Sequence, residues 1–247
     1  MTPLGLYIHW PYCTKVCPYC DFNVVRARHV DIYRWREVLL EDLSYWAVQS
    51  PGYLHSIYFG GGTPSLMPPS LVAQIIEAAK KLWCTKEPLE ITLEANPTDA
   101  EKMRFSAFRD AGVNRLSLGV QSFDDKALQF LGRNHDAAEA RRGIETAQTI
   151  FARTNFDLIY GLPNQTRREW CDQLTTAIDF GAGHLSIYQL TIEQGTAFAK
   201  AVARGAWQPI AQVQEAALYD IAQEICDRHG LRAYEVSNHA KPGEESV

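Results

Sequence analysis

No stretch of this 247-residue sequence stays apolar for long; its hydrophobic runs are short and broken by Arg, Lys or Asp, which excludes a membrane-spanning helix. Membrane association is therefore expected to be transient at most. The N-terminus, Met1 to Pro11, lacks a basic start and a small-residue cleavage site. No signal peptide is read there, and a cytoplasmic location is expected by default. Basic excess is missing too. Lys and Arg number 24 against 29 Asp and Glu, for a net charge of −5. A nucleic-acid partner, which needs a clustered basic face, is not expected. The pairs Arg141–Arg142 and Arg167–Arg168 sit in helix-like stretches and read as solvated faces. No low-complexity tract, Ser/Gly-rich linker or internal repeat divides the chain, so one domain with a large core is the simplest expectation.

What is present begins with six cysteines. In a reducing compartment they do not read as three disulfides. Cys84, Cys171 and Cys226 stand beside apolar or aromatic residues in helix-like stretches and read as small buried hydrophobes. The other three crowd into one segment, Tyr7-Ile-His-Trp-Pro-Tyr-Cys13-Thr-Lys-Val-Cys17-Pro-Tyr-Cys20-Asp-Phe-Asn23. Three thiolates at C-x3-C-x2-C can ligate three irons of a [4Fe-4S] cubane and leave the fourth open. An open position separates a catalytic metal centre from a closed structural one, and electron-transfer clusters mostly use four cysteines. Three alternatives stay open. Cys17-Pro-Tyr-Cys20 could be a glutaredoxin-type dithiol, although no helix pattern follows it. Zinc with His9 as fourth ligand is the second, and three packed cysteines in a Pro-rich loop the third.

Elsewhere, short β-branched or apolar runs alternate with helix-period segments. The runs are Gly5–Trp10, Ser56–Phe59, Leu89–Leu93, Arg115–Gly119, Phe156–Tyr160 and His184–Leu190. Helices are predicted near 29–49, 69–83, 98–111, 136–151, 167–180 and 210–229, with Thr98/Glu101 and Thr166/Glu169 as capping boxes and Gly112 and Gly230 as C-terminal stops. This rhythm implies βαβ units and a parallel sheet curled into a partial (β/α)6 TIM-like barrel, because a closed barrel has eight units. A doubly wound Rossmann sheet is the alternative, but no G-x-G-x-x-G follows the first strand. Ala233–Val236 reads as one more short strand.

The cysteine segment follows the first strand, at the face where barrels do chemistry. Polar groups end the later strands at the same height. Phe59-Gly60-Gly61-Gly62-Thr63-Pro64-Ser65 follows the second and lets backbone approach a ligand, or is simply a tight turn. Glu94 ends the third, Gln121 the fourth, and Asp157 sits in the fifth. Arg133, in Leu131-Gly-Arg-Asn-His135, offers a planar fork for a carboxylate. S-adenosylmethionine (SAM) presents the ammonium, carboxylate, ribose diol and adenine such groups bind. A reduced cluster could then donate an electron into its sulfonium, giving methionine and a 5′-deoxyadenosyl radical.

With these residues assembled, the chain resembles the radical SAM superfamily and, within it, the group related to oxygen-independent coproporphyrinogen III oxidase (HemN). The resemblance runs from Tyr7 to about Gly243 through Tyr-x-His-x-Pro-x-Cys-x3-Cys-x2-Cys, Gly-Gly-Gly-Thr-Pro-Ser, Glu-x-Asn-Pro, Gly-Val-Gln-Ser-Phe and Asp-Leu-Ile-Tyr-Gly-Leu-Pro. It implies Cys13, Cys17 and Cys20 as cluster ligands. It also implies SAM contacts from Tyr7, Tyr19, Gly61, Gly62, Thr63, Glu94, Gln121, Arg133 and Asp157. Two details lean toward the heme chaperone (HemW) branch. Phe22 stands where the oxidase has a further Cys, and Leu131-Gly-Arg-Asn-His135 looks like the chaperone form. That branch implies heme or porphyrin as cargo and a heme-receiving respiratory protein as partner, with no electron donor identified. Coproporphyrinogen decarboxylation is not expected on this reading; a true oxidase-type enzyme and an inactive barrel fragment are the alternatives. Family members continue past Tyr234–Ser246 into a His-Asn-x-x-Tyr-Trp motif linked to heme. Residues 1–230 are therefore expected to form the barrel, and 231–247 to begin an extension that is otherwise missing, by truncation or by loss of the heme-handling part.

Overall fold

The computed structural model describes residues 2–247, with the backbone alone at 99 and 100. Its first half comprises β1 (Pro3–Trp10), β2 (Tyr12–Cys13), β3 (Val25–Arg26), α1 (Ile32–Gln49), β4 (Tyr53–Gly61), a 3-10 turn (Pro64–Leu66), α2 (Pro69–Leu82), β5 (Cys84–Ala95), α3 (Asp99–Lys102) and α4 (Phe105–Asp110). Then come β6 (Arg115–Gln121), α5 (Asp125–Phe130), α6 (Ala137–Ile150), β7 (Arg153–Tyr160), α7 (Arg167–Asp179), β8 (His184–Gln189), α8 (Ala197–Ala203), α9 (Gln212–Arg228), β9 (Arg232–Ala233) and β10 (Asn238–Ala240). The large sheet runs β1-β4-β5-β6-β7-β8-β10-β9. Neighbours from β1 to β8 pair in parallel. β10 returns antiparallel along β8, and β9 antiparallel along β10. Since β1 and β8 do not pair, the parallel strands form the expected open, partial barrel.

The strands alternate with period two, and that alternation decides where the core lies. Ile57 and Phe59, Ile91 and Leu93, Leu116 and Leu118, Phe156 and Leu158, and Leu185 and Ile187 are buried in one apolar cluster shared with helix residues such as Ile75, Ile144, Trp170 and Leu174. The intervening residues face the lumen and are polar: Tyr58, Thr92 and Glu94, Arg115 and Ser117, Asn155 and Asp157, His184, Ser186 and Tyr188. The outer face therefore holds the fold together while the lumen stays polar.

Several expectations change in detail. The helix predicted over 98–111 is broken into α3 and α4, with Met103 and Arg104 between them. There Arg104 turns in to donate to the carbonyls of Ser65 and Met67. The Thr166/Glu169 capping box forms as predicted. Thr98 caps α3, but the Glu101 carboxylate reaches Ser65 and Asn96. Cys84 opens β5 and is exposed, not packed in a helix; Cys226 is buried in α9, where burial pushes its thiol up to about 12. The strand expected at Ala233–Val236 is replaced by β9 and β10.

Candidate functional site

β1 delivers the cysteine segment to the C-terminal edge of the sheet. There β2 and β3 pair to close it into a loop, with Val25 N–H donating to Pro11 O (2.8 Å) and Ala27 N–H to Cys13 O (2.8 Å). The glycine-rich loop after β4 lies directly on this loop. Gly62 N–H donates to Trp10 O (2.7 Å) and Thr63 N–H to Tyr12 O (2.9 Å), so these two amides hold the cysteine loop. A Cβ on Gly62 would come within 2.8 Å of Tyr12 O, which explains the need for glycine. His9 is engaged here as well, its Nε2 lying 3.0 Å from Asn23 O.

The far side of the loop rests on a helix terminus. α5 ends in a Schellman motif: Gly132 N–H donates to Gln129 O (3.0 Å) and Arg133 N–H to Leu128 O (2.9 Å), with Gly132 at φ +68°. A Cβ on Gly132 would sit 2.6 Å from Pro18 Cδ. The glycine both turns the chain and lets Pro18 dock, and the turn aims Arg133 inward. Pro18 O also accepts from Phe198 N–H of α8 (2.9 Å), beside a small apolar cluster holding Leu131, Ile159, Leu190 and Phe198.

Above the lumen these elements enclose a cavity of about 480 Å³. Cys13, Cys17, Cys20, Tyr19, Gly61, Gly62, Thr63, Glu94, Gln121, Arg133 and Asp157 all line it. Among the described residues no three His, Cys, Asp or Glu side chains gather around a point suited to a single metal ion. Tyr7 stands apart: it is exposed on edge strand β1 and stacks on Tyr58 (5.9 Å), whose hydroxyl donates to Glu94 Oε1 at 2.8 Å.

The electrostatics of the cavity are unbalanced. The Arg133 guanidinium donates to Cys17 Sγ (3.4 Å), Tyr19 OH (3.3 Å), Gly119 O (3.0 Å) and Asn96 Oδ1, and its Nε is buried without a partner. Burial opposes its charge, but Tyr19 and Cys17 outweigh that and hold its pKa above the ordinary value. No carboxylate pairs with it among the described residues. Glu94 and Asp157 face the same space without a salt-bridge partner. Burial raises Glu94 to about 7 against the Tyr58 hydrogen bond, and Asp157 to about 6 against the amide of Asn155 at 3.0 Å. Gln121 adopts φ +68° at the end of β6, where the sheet register shifts, and its Oε1 is buried without a partner. A non-glycine residue held there is strained by about 1–2 kcal/mol. The arrangement offers anion contacts beside the thiols and cation contacts deeper in.

Several participants are not among the predicted site residues. Asn96 and Ser117 line the cavity, and Asn155 supports Asp157 from below. A smaller polar chamber of about 110 Å³ continues underneath, sharing Glu94, Ser117, Asp157 and Tyr188 and adding Arg115, His184 and Tyr234. Burial lowers His184 to about 3, so it is neutral, with Nδ1 on Asn155 Oδ1 and Nε2 on Tyr234 OH, each at 2.6 Å. The signal was the alternation Arg115-x-Ser117, Asn155-x-Asp157 and His184-x-Ser186-x-Tyr188 inside otherwise apolar strands.

The family model for the Radical SAM superfamily matches residues 7–175. The chain belongs to the radical SAM superfamily. It is 41% identical over 255 residues to the heme chaperone HemW of Haemophilus influenzae, covering 98% of this chain and 64% of that protein. It is 42% identical over 241 residues to radical S-adenosyl methionine domain-containing protein 1, mitochondrial, of Bos taurus, covering 97% of this chain and 54% of that one. The chain thus spans only half to two thirds of these relatives. Coproporphyrinogen III oxidase (HemN) from Escherichia coli, a radical SAM enzyme, shares the fold with a TM-score of 0.84 and 25% identity over 98% of this chain and 56% of that one.

Two expectations are corrected by these relationships. A cytoplasmic location does not stand as a default, since the bovine and mouse relatives are mitochondrial by name. The expectation against coproporphyrinogen oxidase activity is overturned as well, because the barrel superposes along nearly its whole length on that oxidase. Phe22, on which the expectation leaned, is an exposed side chain at the cavity wall. Among the described residues no helix is long and apolar enough to cross a membrane.

Proposed function

We propose that this chain is the cluster- and SAM-binding barrel of a radical enzyme of the coproporphyrinogen III oxidase type. The observation that carries the reading is the convergence on one 480 Å³ cavity of three thiols, a guanidinium with no carboxylate on it and two carboxylates with no cation on them. Cys13, Cys17 and Cys20 would hold a [4Fe-4S] cluster with one iron open. When bound, that cluster supplies the electron for reductive cleavage of SAM. Arg133 Nε, buried without a partner, fits an anionic neighbour, whether the cluster or the SAM carboxylate. Glu94 and Asp157 would take the ammonium and the ribose hydroxyls, and Gln121 Oε1 a further donor. Gly62 and Thr63 keep the cysteine loop on the barrel rim, and Gly61 lines the cavity beside them. Tyr19 closes the wall beside Arg133, and Tyr7 would act through Tyr58.

The test is an anaerobic assay of the reconstituted chain with SAM, dithionite and coproporphyrinogen III. The reading expects 5′-deoxyadenosine together with vinyl-bearing product. Absence of 5′-deoxyadenosine from a cluster-loaded sample would overturn it. The 41% identity to a heme chaperone favours a second reading, in which heme is cargo for a respiratory protein. SAM cleavage without vinyl product, together with a heme absorption band on titration, would select that reading.

A further inference from the structure

Glu101 lies outside the cavity, in α3, and is only 5% exposed. Its two oxygens meet donors alone. Oε2 accepts from Ser65 Oγ and from Asn96 N–H (2.9 Å), and Oε1 from Asn96 Nδ2 (3.2 Å). Asn96 is thereby fixed at backbone and side chain, and from it two arms reach the cysteine loop. In one, Asn96 Nδ2 donates to Thr63 Oγ1 (3.5 Å), whose hydroxyl donates to Cys13 Sγ (3.5 Å). In the other, Asn96 Oδ1 accepts from Arg133 Nη2, while Nη1 of the same guanidinium donates to Cys17 Sγ.

We propose that Glu101 is a positioning residue for the cluster and SAM site, setting through Asn96 both the Thr63–Cys13 and the Arg133–Cys17 contacts. This rests on the reading that the cavity takes a cluster and SAM. The role demands an acceptor-only group. A glutamine at 101 must turn its NH2 toward either the amide N–H or the Nδ2 of Asn96, so one of the two holds on Asn96 is lost whichever way it faces. An aspartate keeps the charge but withdraws the carboxylate by one methylene. Ser65 is the internal control, because its hydroxyl touches Glu101 without belonging to either arm.

The experiment compares wild type, Glu101→Gln, Glu101→Asp and Ser65→Ala as anaerobically reconstituted proteins. It reads iron content, the electron paramagnetic resonance (EPR) spectrum of the reduced cluster with and without SAM, and SAM affinity. Positioning predicts wild-type iron content in all four. It predicts SAM binding about tenfold weaker in Glu101→Gln, the net worth of a lost charge-assisted hydrogen bond, with an altered SAM-induced spectrum. Glu101→Asp should weaken binding by several-fold despite its charge, and Ser65→Ala should stay within twofold of wild type. Wild-type affinity and spectrum in Glu101→Gln would overturn the proposal, as would Glu101→Asp matching wild type, which would assign the effect to charge alone. Should Glu101→Gln fail to fold, Glu101→Asp and Asn96→Ala decide the same question, wild-type SAM binding in both counting against it. Failure of wild type itself to bind cluster or SAM overturns the underlying reading, a result distinct from a Glu101 variant that behaves as wild type.

Discussion

The two faces of the same parallel strands are built on opposite rules. Toward the helices, Ile91, Leu116, Phe156 and Leu185 are buried in a continuous apolar cluster. Toward the lumen, Thr92, Arg115, Ser117, Asn155, Asp157 and Ser186 make a polar interior with two connected chambers. Ordinary TIM barrels fill the lumen with branched apolar side chains. Here the stabilisation of the fold lies outside the sheet, and the lumen is left free to bind. A substitution on one face should therefore be read by melting and on the other by ligand affinity.

The largest stability effect is expected from the outer face. Phe156→Ala should cost about 3–5 kcal/mol, the usual loss for a fully buried aromatic, measured as a fall in the urea midpoint. Next comes the floor of the lumen, where a buried ion-pair network holds the strands. Glu90 pairs there with Arg153 at 2.7 Å and with buried Arg115 at 3.4 Å. Glu90→Gln leaves Arg115 inside without its counter-charge and should cost about 3 kcal/mol. A loss below about 1 kcal/mol would show that the floor contributes little to the fold.

Inside the cavity the order reverses. Asp157→Asn should change stability by less than about 1 kcal/mol and yet remove measurable SAM binding in calorimetry. Glu94 gives the comparison a pH axis. Its folded pKa is raised from 4.5 to about 7, so the stability it contributes is complete below pH 4.5 and lost as pH climbs through 7. Ligand-free Glu94→Gln should melt with the parent near pH 4.5 and above it at pH 8; parallel melting curves at both values would deny the raised pKa. The smallest effect on the site belongs to the surface, where Thr166→Ala removes one capping box at about 1 kcal/mol of stability without touching SAM affinity.

The strand–helix rhythm was legible because the outer face is apolar at the right period. Each of the six predicted runs falls on a parallel strand, with an end that shifts by at most five residues. The short helices were not legible. Ala197–Ala203 is seven residues long and is held by contact with Pro18 and Phe130, partners distant in sequence. The cysteines and strand-end residues could be read because each is chemically conspicuous. Glu101 could not, since the Thr98/Glu101 spacing spells a capping box and only the fold reveals that its carboxylate serves Asn96. The glycine loop was also half-read, because its close approach is to the cysteine loop's own carbonyls.

The central proposal is that the cavity above the lumen would hold a cluster with an open iron and SAM side by side. EPR spectroscopy of the reduced, reconstituted chain before and after adding SAM tests it most directly. A [4Fe-4S] signal whose g-values shift on SAM addition, and which is lost in Cys13→Ala, Cys17→Ala or Cys20→Ala, is the result predicted. A cluster signal indifferent to SAM, or one that survives removal of any of the three cysteines, would contradict it.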